Sequence, residues 1–136
     1  RTVVFIGRSL GSGLATALAA SLPPSQRPDA LILVSPYRSL RALAAEHYPW
    51  VPAWLLRYPL DTEALVPRLA ESPRPRALLL HGAQDMLIPI AHAEALARRW
   101  PGATLTRIER GAHNDLQQFP EYLDAIRQAI DAATTR

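Results

Sequence analysis

The first part of the chain constrains the fold more than any other segment. Residues 2–6 are an uninterrupted β-branched and apolar run, which predicts a parallel strand buried on both faces. The run leads into a Gly-x-Ser-x-Gly pentapeptide, and an Ala- and Leu-rich stretch up to Pro23 then predicts a helix over residues 10–22. A buried strand that turns directly into a helix is the repeating unit of parallel sheets.

The rest of the chain continues this alternation. Apolar runs at residues 31–34 and 77–80 predict two more buried strands, whereas residues 104–108 alternate in polarity, as a strand at a sheet edge does. Helices are predicted over residues 90–100 and again after Phe119. On the last helix one face is predicted to consist of Leu123, Ile126, Ile130 and Ala133. The fold class is therefore α/β, a three-layer domain with a parallel sheet of about four strands.

Residues 37–76 interrupt the alternation and are too long for a simple connection. This Pro- and Trp-rich stretch includes a predicted short helix over residues 38–48. We expect it to be a cap or lid insertion over the carboxyl ends of the strands, where open α/β sheets bind ligands. Its apolar residues either form a pocket for a lipophilic acyl group or pack the insertion onto the domain. They are Tyr48, Trp50, Trp54, Leu55, Leu56 and Tyr58.

Two residue types are missing, and their absence excludes several kinds of chemistry. The chain has no Cys, which excludes a thiol nucleophile, a disulfide and a thiolate metal site. All 15 cationic side chains are Arg, so a Schiff-base lysine, a Ser–Lys dyad and a P-loop lysine are also excluded. The arginines are scattered and the net charge is only +3, so we expect no nucleic-acid partner. Membrane association is left open.

Ser9 is the candidate nucleophile. A sharp turn between strand and helix lifts the serine hydroxyl above the sheet and strains its backbone. The positions two before and two after Ser9, occupied by Gly7 and Gly11, are expected to need small residues because strand and helix approach each other there. The start of the helix supplies backbone N–H groups and a positive dipole end, so the N–H of Leu10 is a candidate oxyanion donor.

A serine nucleophile needs a base, and the base needs an orienting acid. His113 lies between the last predicted strand and the last helix, and Asp85 follows the third strand. The order Ser9, Asp85, His113 is the one that a strand–turn–helix nucleophile of this kind requires. A metal site formed by His81, Asp85 and His113 is a second chemical interpretation, although no close-set ligand motif favours it.

The other polar candidates are expected to have structural roles. His81 is interpreted as a hydrogen-bonded histidine at a strand end, His92 as a helix-surface residue and His47 as part of the insertion. Asp115 is interpreted as a cap of the last helix, and Asp61 as structural. Arg8, next to the nucleophile, either orients substrate or makes an ordinary salt bridge or helix-end contact.

Four stretches of the chain resemble the α/β-hydrolase superfamily. They are Gly7-Arg8-Ser9-Leu10-Gly11, Ser35-Pro36-Tyr37, His81-Gly82-Ala83-Gln84-Asp85 and Gly111-Ala112-His113-Asn114-Asp115-Leu116. Residues 48–52 and 56–58 are similar to the subgroup that contains serine-aminopeptidase-like hydrolases and membrane-associated protein depalmitoylases. The resemblance implies Ser9 as nucleophile, Asp85 as acid and His113 as base, with neither cofactor nor metal.

The implied activity is that of a serine hydrolase, which cleaves an ester or amide bond through an acyl-enzyme. The alternative is a non-catalytic interaction module, or a truncated hydrolase that is inactive without its N-terminal half. The resemblance covers only the C-terminal half of the family's sheet, so residues 1–136 are expected to be a partial domain that lacks the second oxyanion donor. We expect a missing N-terminal half or a partner chain to cover the first strand, and residues 1–136 alone to have little activity.

Overall fold

The computed structural model describes residues 1–46, 52–57 and 60–135. Within them, four strands form a single sheet: β1 (Val4–Arg8), β2 (Ala30–Val34), β3 (Arg76–Gly82) and β4 (Thr104–Ile108). They pair in the order β1-β2-β3-β4, and each pairing is parallel. The predicted parallel sheet of about four strands is therefore confirmed, and the carboxyl ends of its strands meet at one edge.

Helices cover both faces of this sheet. The α-helices of the described residues are α1 (Leu10–Ser21), α2 (Leu40–Ala45), α3 (Thr62–Ala70), α4 (Ala91–Arg99) and α5 (Pro120–Thr134), and short 3-10 turns occur at Pro24–Gln26, Ala53–Arg57 and Leu116–Gln118. Helices α1, α3 and α4 pack on one face and α5 on the other, which gives the expected three layers. Among these helices, none combines the length and the apolar character needed to span a membrane.

The two central strands carry the core. Leu31 and Leu33 of β2 point to the face covered by α1, α3 and α4, whereas Ile32 and Val34 point to the face covered by α5. All four side chains are buried, and burial of each stabilises the fold by about 1.5–3 kcal/mol. The continuous apolar runs of the sequence therefore correspond to strands buried on both faces.

The prediction of two-sided burial is wrong for the first strand. β1 lies at an edge of the sheet, because no described strand pairs with its outer side. Ile6 is 54% exposed, and Leu14 and Leu18 of the neighbouring α1 are 59% and 53% exposed. We call these three residues the β1–α1 surface. At the opposite edge, β4 confirms the prediction made from its alternating sequence.

The buried face of α5 differs in part from the predicted one. Ile126 packs into the core and Ala133 is buried, as predicted, whereas Leu123 and Ile130 are 55% and 37% exposed and Tyr122 and Ala129 pack into the core instead. The helix has two apolar stripes about 100° apart, and the stripe that begins at Tyr122 faces the sheet.

In its described residues, the predicted cap segment, residues 37–76, contains α2, the 3-10 turn Ala53–Arg57 and α3. A small cluster forms around Ile88, which packs with Tyr37, Leu40 and Leu56. Helix α3 packs into the main core. Asp61 caps α3, which confirms its structural role. Trp54 is 58% exposed. The extent of the cap stays a prediction. His47, Tyr48, Trp50, Tyr58 and the side chain of Leu55 lie outside the described residues.

Candidate active site

Ser9 occupies the turn between β1 and α1, as its sequence context predicts. Its backbone has φ 54° and ψ −124°, a region that non-glycine residues rarely adopt and that costs about 1–3 kcal/mol. The Ser9 N–H donates to the carbonyl of Val34 over 2.8 Å, and the Ser9 carbonyl accepts from the N–H of Ser12 over 2.9 Å. These bonds hold the strained turn between the sheet and the first turn of α1.

The two glycines of the pentapeptide are not equivalent. A Cβ atom at Gly7 would lie 2.4 Å from the carbonyl oxygen of Gly11 and 2.8 Å from the Cβ of Ala15. A Cβ atom at Gly11 would meet no described atom within 4 Å. The expectation that both positions must be small is therefore correct for Gly7 and wrong for Gly11 within the described part of the chain.

Tyr37 contacts the first residue of α1 and stabilises the turn at Ser9. Its side chain is fully buried, and its hydroxyl donates to the carbonyl of Leu10 over 3.0 Å. Burial raises the pKa of Tyr37 to about 12, so the phenol remains a donor at neutral pH. Sequence reasoning missed this role, because no local spacing rule connects Tyr37 to the start of α1.

The three predicted catalytic side chains come together at the carboxyl edge of the sheet. Ser9 Oγ lies 3.0 Å from His113 Nε2, and His113 Nδ1 lies 2.8 Å from Asp85 Oδ2. The side chain of His113 is 11% exposed and that of Asp85 is fully buried. The contacts join residues that are 104 and 28 positions apart in the sequence.

Asp85 is held as an ionised acceptor. Burial alone would raise its pKa, but hydrogen bonds from His113, His81 and the N–H of Ile88 outweigh burial and lower the pKa well below its usual range. A carboxylate only accepts hydrogen bonds, so the proton of a neutral His113 ring must be on Nδ1. The Nε2 lone pair then faces the hydroxyl of Ser9, as a general base requires.

The loops that carry Asp85 and His113 contact each other through their backbones. The N–H of Gln84 donates to the carbonyl of Gly111 over 2.8 Å, and a Cβ at Gly82 would lie 2.3 Å from that same oxygen. Asp115 closes the histidine loop by accepting from the N–H of Ala112 over 2.7 Å. Its predicted role as a cap of the last helix is wrong, because α5 begins five residues later at Pro120.

Arg8 links the nucleophile turn to the histidine loop. Its Nη2 donates to the carbonyl of His113 over 3.3 Å and to Oδ1 of Asn114 over 3.4 Å. Of the two roles considered for Arg8, these bonds favour a structural contact near the site.

The Leu10 N–H follows Ser9 in the first turn of α1, where backbone donors have no intrahelical partner. The first turn of α1 contains no acidic side chain that would neutralise the positive end of the helix dipole. The oxyanion role of Leu10 stays a prediction.

The remaining described histidines are both buried. His81 is 0% exposed and its Nε2 lies 2.7 Å from the carbonyl of Ile88, which confirms a hydrogen-bonded structural residue. The expected surface position of His92 is wrong: its side chain is 2% exposed, its Nδ1 accepts from the N–H of Arg38 over 3.0 Å, and its Nε2 lies 2.7 Å from Glu46 Oε1. Burial lowers the pKa of His92, and the Glu46 carboxylate opposes that effect.

The metal interpretation finds little support in this geometry. Both oxygens of Asp85 already accept hydrogen bonds from N–H groups. In residues 1–46, 52–57 and 60–135, no three His, Asp or Glu side chains form an arrangement that could hold a metal ion.

Comparisons with known proteins agree with this fold. No family model matches the chain. The sequence is 35% identical over 131 residues to an uncharacterised protein of Mycobacterium tuberculosis, in a match that covers 96% of this chain and 42% of that protein. It is 26% identical over 129 residues to human alpha/beta hydrolase domain-containing protein 17C, covering 94% of this chain and 36% of the relative. The chain thus spans less than half the length of these curated relatives.

Solved structures show the same architecture. The fold is similar to that of an esterase from Pyrococcus furiosus, with a TM-score of 0.70 and 17% identity over 98% of this chain and 54% of that one. It is also similar to a thermophilic esterase from Thermogutta terrifontis, with a TM-score of 0.67 and 20% identity over 98% of this chain and 66% of that one. These similarities show that the chain has an α/β-hydrolase fold, and they support its resemblance to that superfamily. Its four-stranded open sheet and surrounding helices correspond to part of that fold.

Proposed function

We propose that the protein is a serine hydrolase that cleaves an ester or amide bond through an acyl-enzyme. Ser9 is the nucleophile, His113 the general base and Asp85 the orienting acid. One observation carries the proposal: Ser9 Oγ, the two ring nitrogens of His113 and Asp85 Oδ2 form a continuous chain of contacts of 3.0 and 2.8 Å. The structural similarity to esterases supports it.

The reaction proceeds in two halves. The Ser9 oxygen attacks the substrate carbonyl carbon while its proton moves to His113 Nε2, and the carbonyl oxygen becomes an oxyanion near the Leu10 N–H. Collapse of this intermediate breaks the bond to the leaving group, which takes the proton from His113. A water molecule then gives a proton to His113 and attacks the acyl-enzyme, and the returned proton restores Ser9. Asp85 remains ionised throughout and stabilises the imidazolium.

An apolar groove beside His113 supports a small lipophilic substrate. Met86, Leu87 and Ala112 line it together with polar residues of the two loops. The Met86 side chain is 89% exposed, a large apolar group that no described residue covers. We place an apolar part of the substrate along this groove.

The proposal predicts that the protein reacts with a fluorophosphonate probe and that Ser9→Ala abolishes labelling, because the probe forms its covalent bond with the serine oxygen. Ser12→Ala is the matched control: Ser12 is buried three residues further along, and its hydroxyl has no partner among the described residues. Labelling is measured by gel fluorescence and intact mass. If the complete domain is not labelled, or if labelling survives in Ser9→Ala, the result would support the non-catalytic alternative instead.

We further propose that the β1–α1 surface is covered by another parallel strand and its helix in the complete domain. Ile6, Leu14 and Leu18 form a continuous apolar surface at the open edge of the sheet. An unprotected apolar edge strand promotes aggregation, so proteins usually cover such an edge. The relative and the solved structure found by comparison have more chain than this sequence covers, which is enough for such a strand.

Polar substitution of this surface tests its burial. In the intact protein the triple variant Ile6→Thr, Leu14→Gln and Leu18→Gln is expected to lose several kcal/mol of unfolding free energy, since each buried aliphatic side chain contributes about 1.5–3 kcal/mol. Leu123→Gln, on the exposed stripe of α5, is the control and should change stability by less than about 0.5 kcal/mol. Urea unfolding measures both. A triple variant as stable as the wild type would show that the surface is exposed to solvent.

A further inference from the structure

A second histidine contacts the same carboxylate oxygen as His113. His81 lies near the end of β3, and its Nε2 is 2.7 Å from the carbonyl oxygen of Ile88 and 3.5 Å from Asp85 Oδ2. The side chains of both His81 and Asp85 are 0% exposed. A carbonyl oxygen only accepts hydrogen bonds, so the proton of His81 must be on Nε2. This N–H points towards the Ile88 carbonyl oxygen and Asp85 Oδ2.

Ile88 connects His81 and Asp85 by a second route. Its N–H donates to Asp85 Oδ1 over 2.8 Å, while its carbonyl accepts from His81. The three residues therefore form a closed ring of polar contacts. The ring is anchored to the core, because Ile88 is fully buried and packs with Tyr37, Leu40 and Leu43.

We propose that His81 is a positioning residue for the acid of the catalytic triad: its Nε2–H fixes the Ile88 peptide and Asp85 so that Oδ2 faces His113 Nδ1. This inference rests on the proposed function, since orientation of Asp85 matters for the reaction only if His113 is the base. His81 acts through Asp85 and does not touch substrate.

Loss of the Nε2–H has two consequences at Asp85. The Ile88 carbonyl becomes a buried acceptor without its donor, so the peptide that also supplies an N–H to Oδ1 is free to shift. The carboxylate further loses one of the donors that lower its pKa, so the pKa of Asp85 rises. Both changes weaken the orientation of His113.

Two substitutions of His81 separate the effect of losing the hydrogen-bond donor from the effect of changing the side-chain packing. His81→Gln places an amide N–H near the position of the imidazole Nε2–H, whereas His81→Leu fills a similar volume without a donor. We expect His81→Leu to slow fluorophosphonate labelling about 10²-fold, the usual effect of a misplacement of about 1 Å. His81→Gln should recover most of the rate. In parallel, the ¹³C titration of the Asp85 carboxyl, assigned with Asp85→Asn, should move to a higher midpoint in His81→Leu and return towards wild type in His81→Gln.

The inference is wrong if both variants label at the same rate, or if the Asp85 midpoint does not move in His81→Leu. Should His81→Leu fail to fold, His81→Gln decides: slow labelling by a folded His81→Gln protein contradicts the inference, and wild-type labelling with a wild-type midpoint supports it. The carboxyl titration needs no activity. A wild-type complete domain that the probe does not label therefore removes the proposed function, while the titration still tests the contact between His81 and Asp85.

Discussion

Replacing Asp85 by Asn is expected to lower the rate of ester hydrolysis about 10⁴-fold while leaving the fold intact. The reason lies in the backbone around the carboxylate. The N–H groups of Leu87 and Ile88 both donate to Oδ1 over 2.8 Å, so an Asn side chain satisfies them only with its oxygen at that position. Its NH₂ group then faces His113 Nδ1.

An amide donor at Nδ1 inverts the tautomer of His113. Nδ1 becomes the acceptor, and Nε2 carries the proton and donates towards Ser9 Oγ instead of accepting from it. The base is lost although all three side chains remain in place. The measurement is kcat/KM with a p-nitrophenyl ester, together with the single-turnover labelling rate.

Asp61→Asn is the matched control for this substitution. Asp61 also accepts a backbone N–H, from Ala64 over 3.0 Å, and Asn caps a helix as well as Asp does. Its activity should equal that of the wild type. An Asp85→Asn protein with a near wild-type rate would show that Asp85 does not orient the base.

Acid unfolding gives a second readout of Asp85→Asn. The pKa of Asp85 is lowered in the folded protein, so ionisation of this group stabilises the fold above its unfolded pKa of about 3.9. That stabilisation is lost as the pH falls through the lower, folded-state pKa. The difference in unfolding free energy between wild type and Asp85→Asn should therefore be largest near neutral pH and shrink on acidification.

The sequence predicted that Ser9, Asp85 and His113 come together because two simple rules apply to them. Parallel strands end at a common edge, so residues that follow β1, β3 and β4 meet there however far apart they are in the chain. The chain order of serine, acid and histidine then distinguishes His113 from the other histidines. Continuous apolar runs likewise predicted the two-sided burial of β2 and β3.

Other features depend on tertiary neighbours that no local pattern encodes. The exposure of β1 depends on what lies beyond the sheet edge, and α5 has two apolar stripes of which packing selects one. The bond from Tyr37 to Leu10 spans 27 residues, and the bond from Arg8 to His113 spans 105. No spacing rule in the sequence predicts these two hydrogen bonds, although the sequence did predict that the three main side chains meet.

The two glycines beside Ser9 should respond in opposite ways to Ala. In Gly7→Ala the new Cβ would lie 2.4 Å from the carbonyl oxygen of Gly11 and 2.8 Å from Ser12 Cα, both of them backbone atoms that cannot turn aside. Overpacking usually costs about 1–3 kcal/mol, and contacts with backbone on both elements favour the upper end or more. The strand and helix must separate, so the strained Ser9 turn opens and labelling slows as well.

Gly11→Ala is the matched variant, four residues away in the first turn of α1. Its Cβ meets no described atom within 4 Å, and Ala reduces the backbone freedom of the unfolded chain. We expect a gain of up to about 1 kcal/mol and unchanged labelling. Urea unfolding and single-turnover labelling of the pair measure both effects. Equal destabilisation of the two variants would contradict this asymmetry, because it would mean that the close approach of strand and helix at Gly7 is not what fixes the Ser9 turn.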